Sequence, residues 1–135
     1  MTWQPTSAQW PDVELWATGH LRAALAARPE PFAATVFVSN NKPATNRPRA
    51  VVVRRDGGSV RDLIDRARLT IRVWADDERE ASDLARLVRS LMLAAPGDGT
   101  CTAVTHLSGP LGVPDESQPQ KYISFDVALR PTSNL

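Results

Sequence analysis

Residues 67–95 read ARLTIRVWADDEREASDLARLVRSLMLAA, and a change of period inside this stretch decides the fold. Over 67–74 apolar and polar residues alternate, with Leu69, Ile71 and Val73 on one side and Arg68, Thr70, Arg72 and Trp74 on the other. That is the pattern of a strand covered on one face. Further on the period becomes helical, with Ala81, Leu84, Ala85, Val88, Leu91, Met92 and Ala95 forming one apolar stripe. Asp76 or Asp77 is placed to cap this helix, expected over 77–95, and Glu78 and Glu80 set negative charge on the positive end of its dipole. Pro96-Gly97 stops it. A half-covered strand running into an amphipathic helix predicts a helix laid on a sheet.

On the N-terminal side, residues 50–56 read as a second strand, where Val51, Val52 and Val53 in a row imply burial on both faces before Arg54 and Arg55. Gly57-Gly58 supplies the positive φ values of a tight reversal, so this strand pairs antiparallel with 67–74 and residues 59–66 make an extended hairpin tip. Residues 34–39 read as a short strand, and 40–48, with two prolines and little to bury, as a loop. The first helix is expected over 12–27: Asp12 caps it, Val13, Trp16, Ala17, His20, Leu21, Ala24 and Leu25 form its stripe, and Arg28-Pro29 ends it. After the second helix come a strand at 100–107 and a loop at 108–119 holding three prolines and two glycines. A last strand, 121–130, has Ile123, Phe125, Val127 and Leu129 inward and Tyr122, Ser124, Asp126 and Ala128 outward. The class is therefore α+β. The expected order is α-β-β-β-α-β-β, a mainly antiparallel sheet of about five strands with both helices on the face of Leu69, Ile71, Val73, Ile123, Phe125 and Val127.

At 135 residues and 42% hydrophobic, the chain is the size of one domain, with 1–11 as an N-terminal extension. Sixteen basic residues against fifteen acidic ones leave a net charge of +1, which argues against a whole surface built to hold a polyanion. A lone cysteine, Cys101, makes no internal disulfide, and the N-terminus has no basic region followed by an apolar run, so a reducing interior and no secretory signal are expected. The most apolar segment, 84–95, is broken by Arg86, Arg89 and Ser90 and is too short to span a bilayer. The expectation is a soluble protein with no membrane partner.

Chemistry-bearing residues are sparse. His20 lies on the stripe of a helix, His106 has no neighbouring acid or cysteine, and Cys101 opens a strand as a small hydrophobe would. These residues lack the close pairing of a metal site and the nucleophile–base pairing of a catalytic one. The acids Asp76, Asp77, Glu78 and Glu80 coincide with a helix N-terminus, where dipole stabilisation accounts for them. Gly57-Gly58 lacks the lysine and hydroxyl residue of a phosphate loop. No catalytic, cofactor-binding or metal-binding residue is expected.

The distribution of charge is more informative. Between Lys42 and Arg72 there are nine basic residues against three acids, a net of +6, which leaves −5 for the rest of the chain. Almost all the basic residues are arginine, whose planar fork suits protein interfaces, and none is interleaved with aromatics. Such a split fits head-to-tail association into a closed ring; an ordinary solvated sheet face fits it equally well. The candidate subunit or ring contacts are Arg54, Arg55, Arg66, Arg68 and Arg72, with Asp76, Asp77 and Glu80 of a neighbour as partners. Reversing Arg54 and Arg55 to Glu is expected to impair assembly and leave the monomer folded.

The opening helix at Asp12-Val13-Glu14-Leu15, the run from Val51 to Gly58 (VVVRRDGG), the strand from Asp65 to Ile71 (DRARLTI) and the continuation through Trp74-Ala75 into 81–89 (ASDLARLVR) resemble the tail terminators of long-tailed bacteriophages. The versions carried by siphophages of actinobacteria are the most similar. The likeness covers roughly 12–130, and related neck and tail-completion proteins share the general architecture. It implies a ring, usually of six subunits, seated on the last ring of the tail tube at the neck of the virion and assembled in the host cytoplasm. Such a ring stops polymerisation of the major tail protein and docks to the head-tail connector. Genomic DNA passes through its lumen without sequence-specific reading. The family has no active site to carry over. Two alternatives stay open: another neck or head-completion connector, and a small nucleic-acid-binding module.

Overall fold

In the computed structural model, which describes residues 9–97, 99–114 and 117–132, the two expected aspartates open the helices. Asp12 accepts hydrogen bonds from the backbone N–H groups of Glu14 and Leu15 at the start of α1 (Val13–Ala26), and Asp77 accepts one from Glu80 at the start of α2 (Glu78–Leu93). Each satisfies donors that a first helical turn leaves without partners. β1 (Phe37–Ser39), β2 (Arg49–Arg61) and β3 (Ile64–Ala75) lie between the helices, and β4 (Cys101–Val113) and β5 (Gln120–Leu129) follow α2. The class is α+β and the order of helices and strands is the one read from the sequence. Most of the expected N-terminal extension lies outside the described residues. Within the rest of it, Gln9 bridges Thr132 and the Trp10 indole donates to the Leu63 carbonyl.

The strands form one sheet in the order β1-β2-β3-β5-β4, in which only β1 and β2 run parallel. β5 is inserted between β3 and β4, so α2 crosses over it and packs on all three, while α1 packs on β1, β2 and α2. Both helices thus lie on one face. Val13, Ala17, Leu21 and Leu25 of α1 and Leu84, Ala85, Val88 and Met92 of α2 meet Val51, Val53, Leu69, Ile71, Val73, Ile123, Phe125, Val127 and Leu129 in a single buried core. Each fully buried side chain of this size contributes about 1.5–3 kcal/mol relative to exposure. Cys101 is buried in the same core.

Three expected boundaries move. Gly57-Gly58 is not the hairpin turn: β2 continues to Arg61, and the reversal is at Asp62-Leu63, whose φ values of 54° and 61° are those of a two-residue turn matched to the strand twist. The glycines instead form a bulge, where the β2–β3 register shifts between Arg55 and Gly58. Gly58 has φ +94°, and a Cβ there would lie 1.9 Å from the Arg66 carbonyl oxygen. Half of the expected 108–119 loop is strand, since β4 runs to Val113, and residues 115 and 116 lie outside the described set. Register shifts at His106/Ser108 and Ser108/Leu111 take up Gly109 and Pro110, which an edge strand tolerates because the missing N–H faces away from the ladder. The first strand is shortened at its start to Phe37, because a 3₁₀ turn (Pro31–Ala33) and the left-handed Thr35 (φ 54°) occupy the residues before it. Among the described residues no helix is long and apolar enough to cross a membrane.

Candidate functional site

Neither described helix covers the second face of the sheet, and the registers fix what it displays. Paired residues of neighbouring strands share a face. Arg54 stands opposite Thr70, Ser59 opposite Arg66, Arg68 opposite Asp126, Arg72 opposite Tyr122 and Thr70 opposite Ser124. One corner of the face is apolar, where Ala50, Val52 and Trp74 are buried together with Phe37 packed against them. The 40–48 loop closes over that corner: the Lys42 ammonium lies 5.5 Å from the centre of the Trp74 ring, and the Arg47 guanidinium 4.9 Å from that of Phe37. The rest of the face is polar and open.

Two shallow depressions mark it. One, of about 440 Å³, is bordered by Lys42, Arg54, Thr70, Arg72 and Tyr122; the other, of about 370 Å³, by Ser59, Arg61, Arg66, Arg68 and Thr105. Asp56 borders both. Its carboxylate accepts a hydrogen bond from the Thr70 hydroxyl at 3.3 Å, and that hydroxyl also lies 3.3 Å from the Tyr122 hydroxyl. Arg68 reaches Asp126 at 3.3 Å with both side chains well exposed, so water screens the pair and it contributes little. Among the described residues, the side chains of Arg61, Arg66 and Arg72 have no hydrogen bond or ion pair.

Of the residues nominated from the sequence, Arg54, Arg66, Arg68 and Arg72 come together on this face. Arg55 borders one of the depressions, but its guanidinium is committed elsewhere. It makes a two-pronged ion pair with Asp65, at 2.7 and 2.8 Å, and the Asp65 side chain is only 5% exposed. The hydrogen bonds to Asp65, and more weakly the nearby Glu14, push the Arg55 guanidinium further above its ordinary pKa, so it stays charged throughout the working range. The nominated acids sit at the start of α2 and are largely engaged within the chain. Glu80 pairs with Arg49, the adjacent Glu78 pairs with Lys121, Asp77 caps the helix and Asp76 lies 3.5 Å from the Gln118 amide nitrogen.

Lys42, Arg61, Thr70, Tyr122 and Asp126 belong to the face as well, although they were not nominated. The outward positions of 121–130 were legible, yet which strand they neighbour follows only from the insertion of β5 beside β3. The histidines are held by backbone: His20 stacks on Trp16 and its Nε2 donates to the Leu91 carbonyl at 2.8 Å, and His106 Nε2 donates to the Gly109 carbonyl at 2.8 Å. Among the described residues no group of three His, Cys, Asp or Glu side chains is placed to hold a metal ion. No protein-family model matches the chain, and no curated protein matches it. What the site offers chemically is a fixed display of guanidinium groups and hydroxyls on a rigid sheet.

Proposed function

We propose that the chain is a structural subunit of the tail-terminator type, which assembles into a ring, closes the tail tube of a long-tailed phage and joins it to the head connector. The observation that carries this reading is the one-sidedness of the sheet: both helices cover one face, and the other is left open with its arginines presented. A tube built of identical rings ends in a surface competent to accept another ring. A cap must bind that surface and offer no copy of it, which requires two chemically unlike sides and no bond making. The likeness of 51–58, 65–71 and 74–75 leading into 81–89 to tail terminators supports the same role. Genomic DNA would pass the ring without its sequence being read.

The chain's own acids are a poor source of partners for the arginines. Glu80 is held by Arg49 within the same chain, so the opposing charge comes more readily from outside the chain than from the α2 end of a neighbouring copy. Charge reversal of Arg54 with Arg55 would mix two effects, because Arg55 holds the buried Asp65. Arg54→Glu with Arg72→Glu probes the face alone. Added to polymerising major tail protein, the wild-type chain is expected to shorten the tubes and cap their ends, and loss of capping in the folded double variant would assign the arginine face to the tube. Tubes that grow unaffected by the wild-type chain would overturn the reading, and binding to capsids instead would assign it to head completion.

A further inference from the structure

On β3, Arg66, Arg68 and Arg72 occupy alternate positions of the open face, about 7 Å apart for each step of two residues. The step missed at Thr70 is filled from the next strand, since Arg54 stands directly opposite it. Arg61, one step beyond Ser59 on β2, extends the row towards the hairpin end, and Lys42 extends it at the other. Six cations therefore border the two depressions with two carboxylates, Asp56 and Asp126, leaving aside the engaged Arg55; Arg54 also has Glu14 at 3.8 Å and donates to Asn40 and Asn41. Asp56 is occupied by the Thr70 hydroxyl. Nothing among the described residues neutralises Arg61, Arg66 or Arg72.

A row of cations with hydroxyls between them suits a partner that is itself a row of anions. We propose that the open face binds a nucleic-acid phosphodiester backbone, without regard to base sequence, through Lys42, Arg54, Arg61, Arg66 and Arg72. Phosphate oxygens accept from guanidinium, ammonium and hydroxyl donors alike, and such contacts fix a backbone without reading bases. An acidic protein surface fits less well. Protein interfaces centre on exposed aromatic or aliphatic anchors, whereas here Trp74 and Val52 are buried, the half-buried Tyr122 is engaged by the Thr70 hydroxyl, and the exposed Leu111 stands on β4, two strands out from the cation row. The net charge of +1 conceals this footprint, because it also counts acids held away from the face, such as Glu80, Asp83 and Glu78 in their ion pairs with Arg49, Arg86 and Lys121. The inference uses the DNA that the ring reading brings past the subunit, but its support is the cation row, and a purified chain tests it without any tail.

The test is fluorescence anisotropy of labelled oligonucleotides of two unrelated sequences, titrated with the full chain over a range of salt. Binding should be equal for the two sequences, and for a duplex log K should fall with log salt at a slope of about −4 to −5, the value for about five neutralised phosphates. Arg66→Gln with Arg72→Gln should weaken binding at least about tenfold and reduce the slope by about 2. Arg66→Lys with Arg72→Lys should largely retain binding, as should Arg79→Gln on the helical side. Circular dichroism checks that each variant folds; if the Gln pair does not, the wild-type slope and the Arg61→Gln variant still decide. No binding at low salt, a flat salt response, or an unchanged slope in the folded Gln variant would overturn the proposal. So would binding of polyglutamate in preference to DNA, which would make the face a site for acidic protein.

Discussion

Arg54 and Arg55 are neighbours in sequence and do opposite things. The Arg54 side chain is 60% exposed and reaches the Glu14 carboxylate only at 3.8 Å, while Arg55 grips Asp65 with two hydrogen bonds. Removing Arg55 strands a carboxylate in a nearly dry site, where an unpaired charge is costly. Arg55→Gln should therefore destabilise the chain by about 2 kcal/mol, allowing for the partial exposure of Arg55. Arg54→Gln should change stability by less than about 0.5 kcal/mol. Urea denaturation of the two variants checks the pair, and equal midpoints would show that the Asp65 ion pair is not structural. The sequence marks both residues as basic and strand-borne. It does not show that the Gly57-Gly58 bulge shifts the register beside them, or that Asp65 is close enough for Arg55 to reach.

At the scale of elements, legibility followed period. The alternation at 67–74 and 121–130 and the helical stripe at 81–95 each named an element and its buried side, because the core selects one face of each. Glycines and prolines were less readable, since the same residues serve turns and bulges. Gly57-Gly58 and Gly109-Pro110 resemble loop sequence, yet they bend strands that continue, while the true hairpin turn uses Asp62 and Leu63. Both turn residues sit in the left-handed region, where a side chain raises the energy, and Leu63 is 62% exposed, so little packing is lost on its removal. Asp62→Asn with Leu63→Gly should stabilise the chain by about 1 kcal/mol. A rise in the thermal midpoint with unchanged circular dichroism would agree; a fall would mean that the exposed Leu63 side chain packs in a way that outweighs its backbone strain.

For the whole molecule, the sequence showed a basic middle and a more acidic remainder, and the fold turns that division into geometry. The basic stretch supplies β2 and β3, and their alternation sends Arg54, Arg61, Arg66, Arg68 and Arg72 to the face that neither described helix covers. The ion pairs that engage Glu78 and Glu80 were beyond local charge counting, because Arg49–Glu80 and Lys121–Glu78 join segments far apart in sequence. A subunit with one helical and one guanidinium-lined side is suited to ending a tube, because its two sides cannot be exchanged. Electron microscopy of lysates from a phage carrying a clean deletion of this chain is the most direct measurement of that role. The account predicts overlong tail tubes that fail to join filled heads. Tails of normal length attached to heads would contradict it.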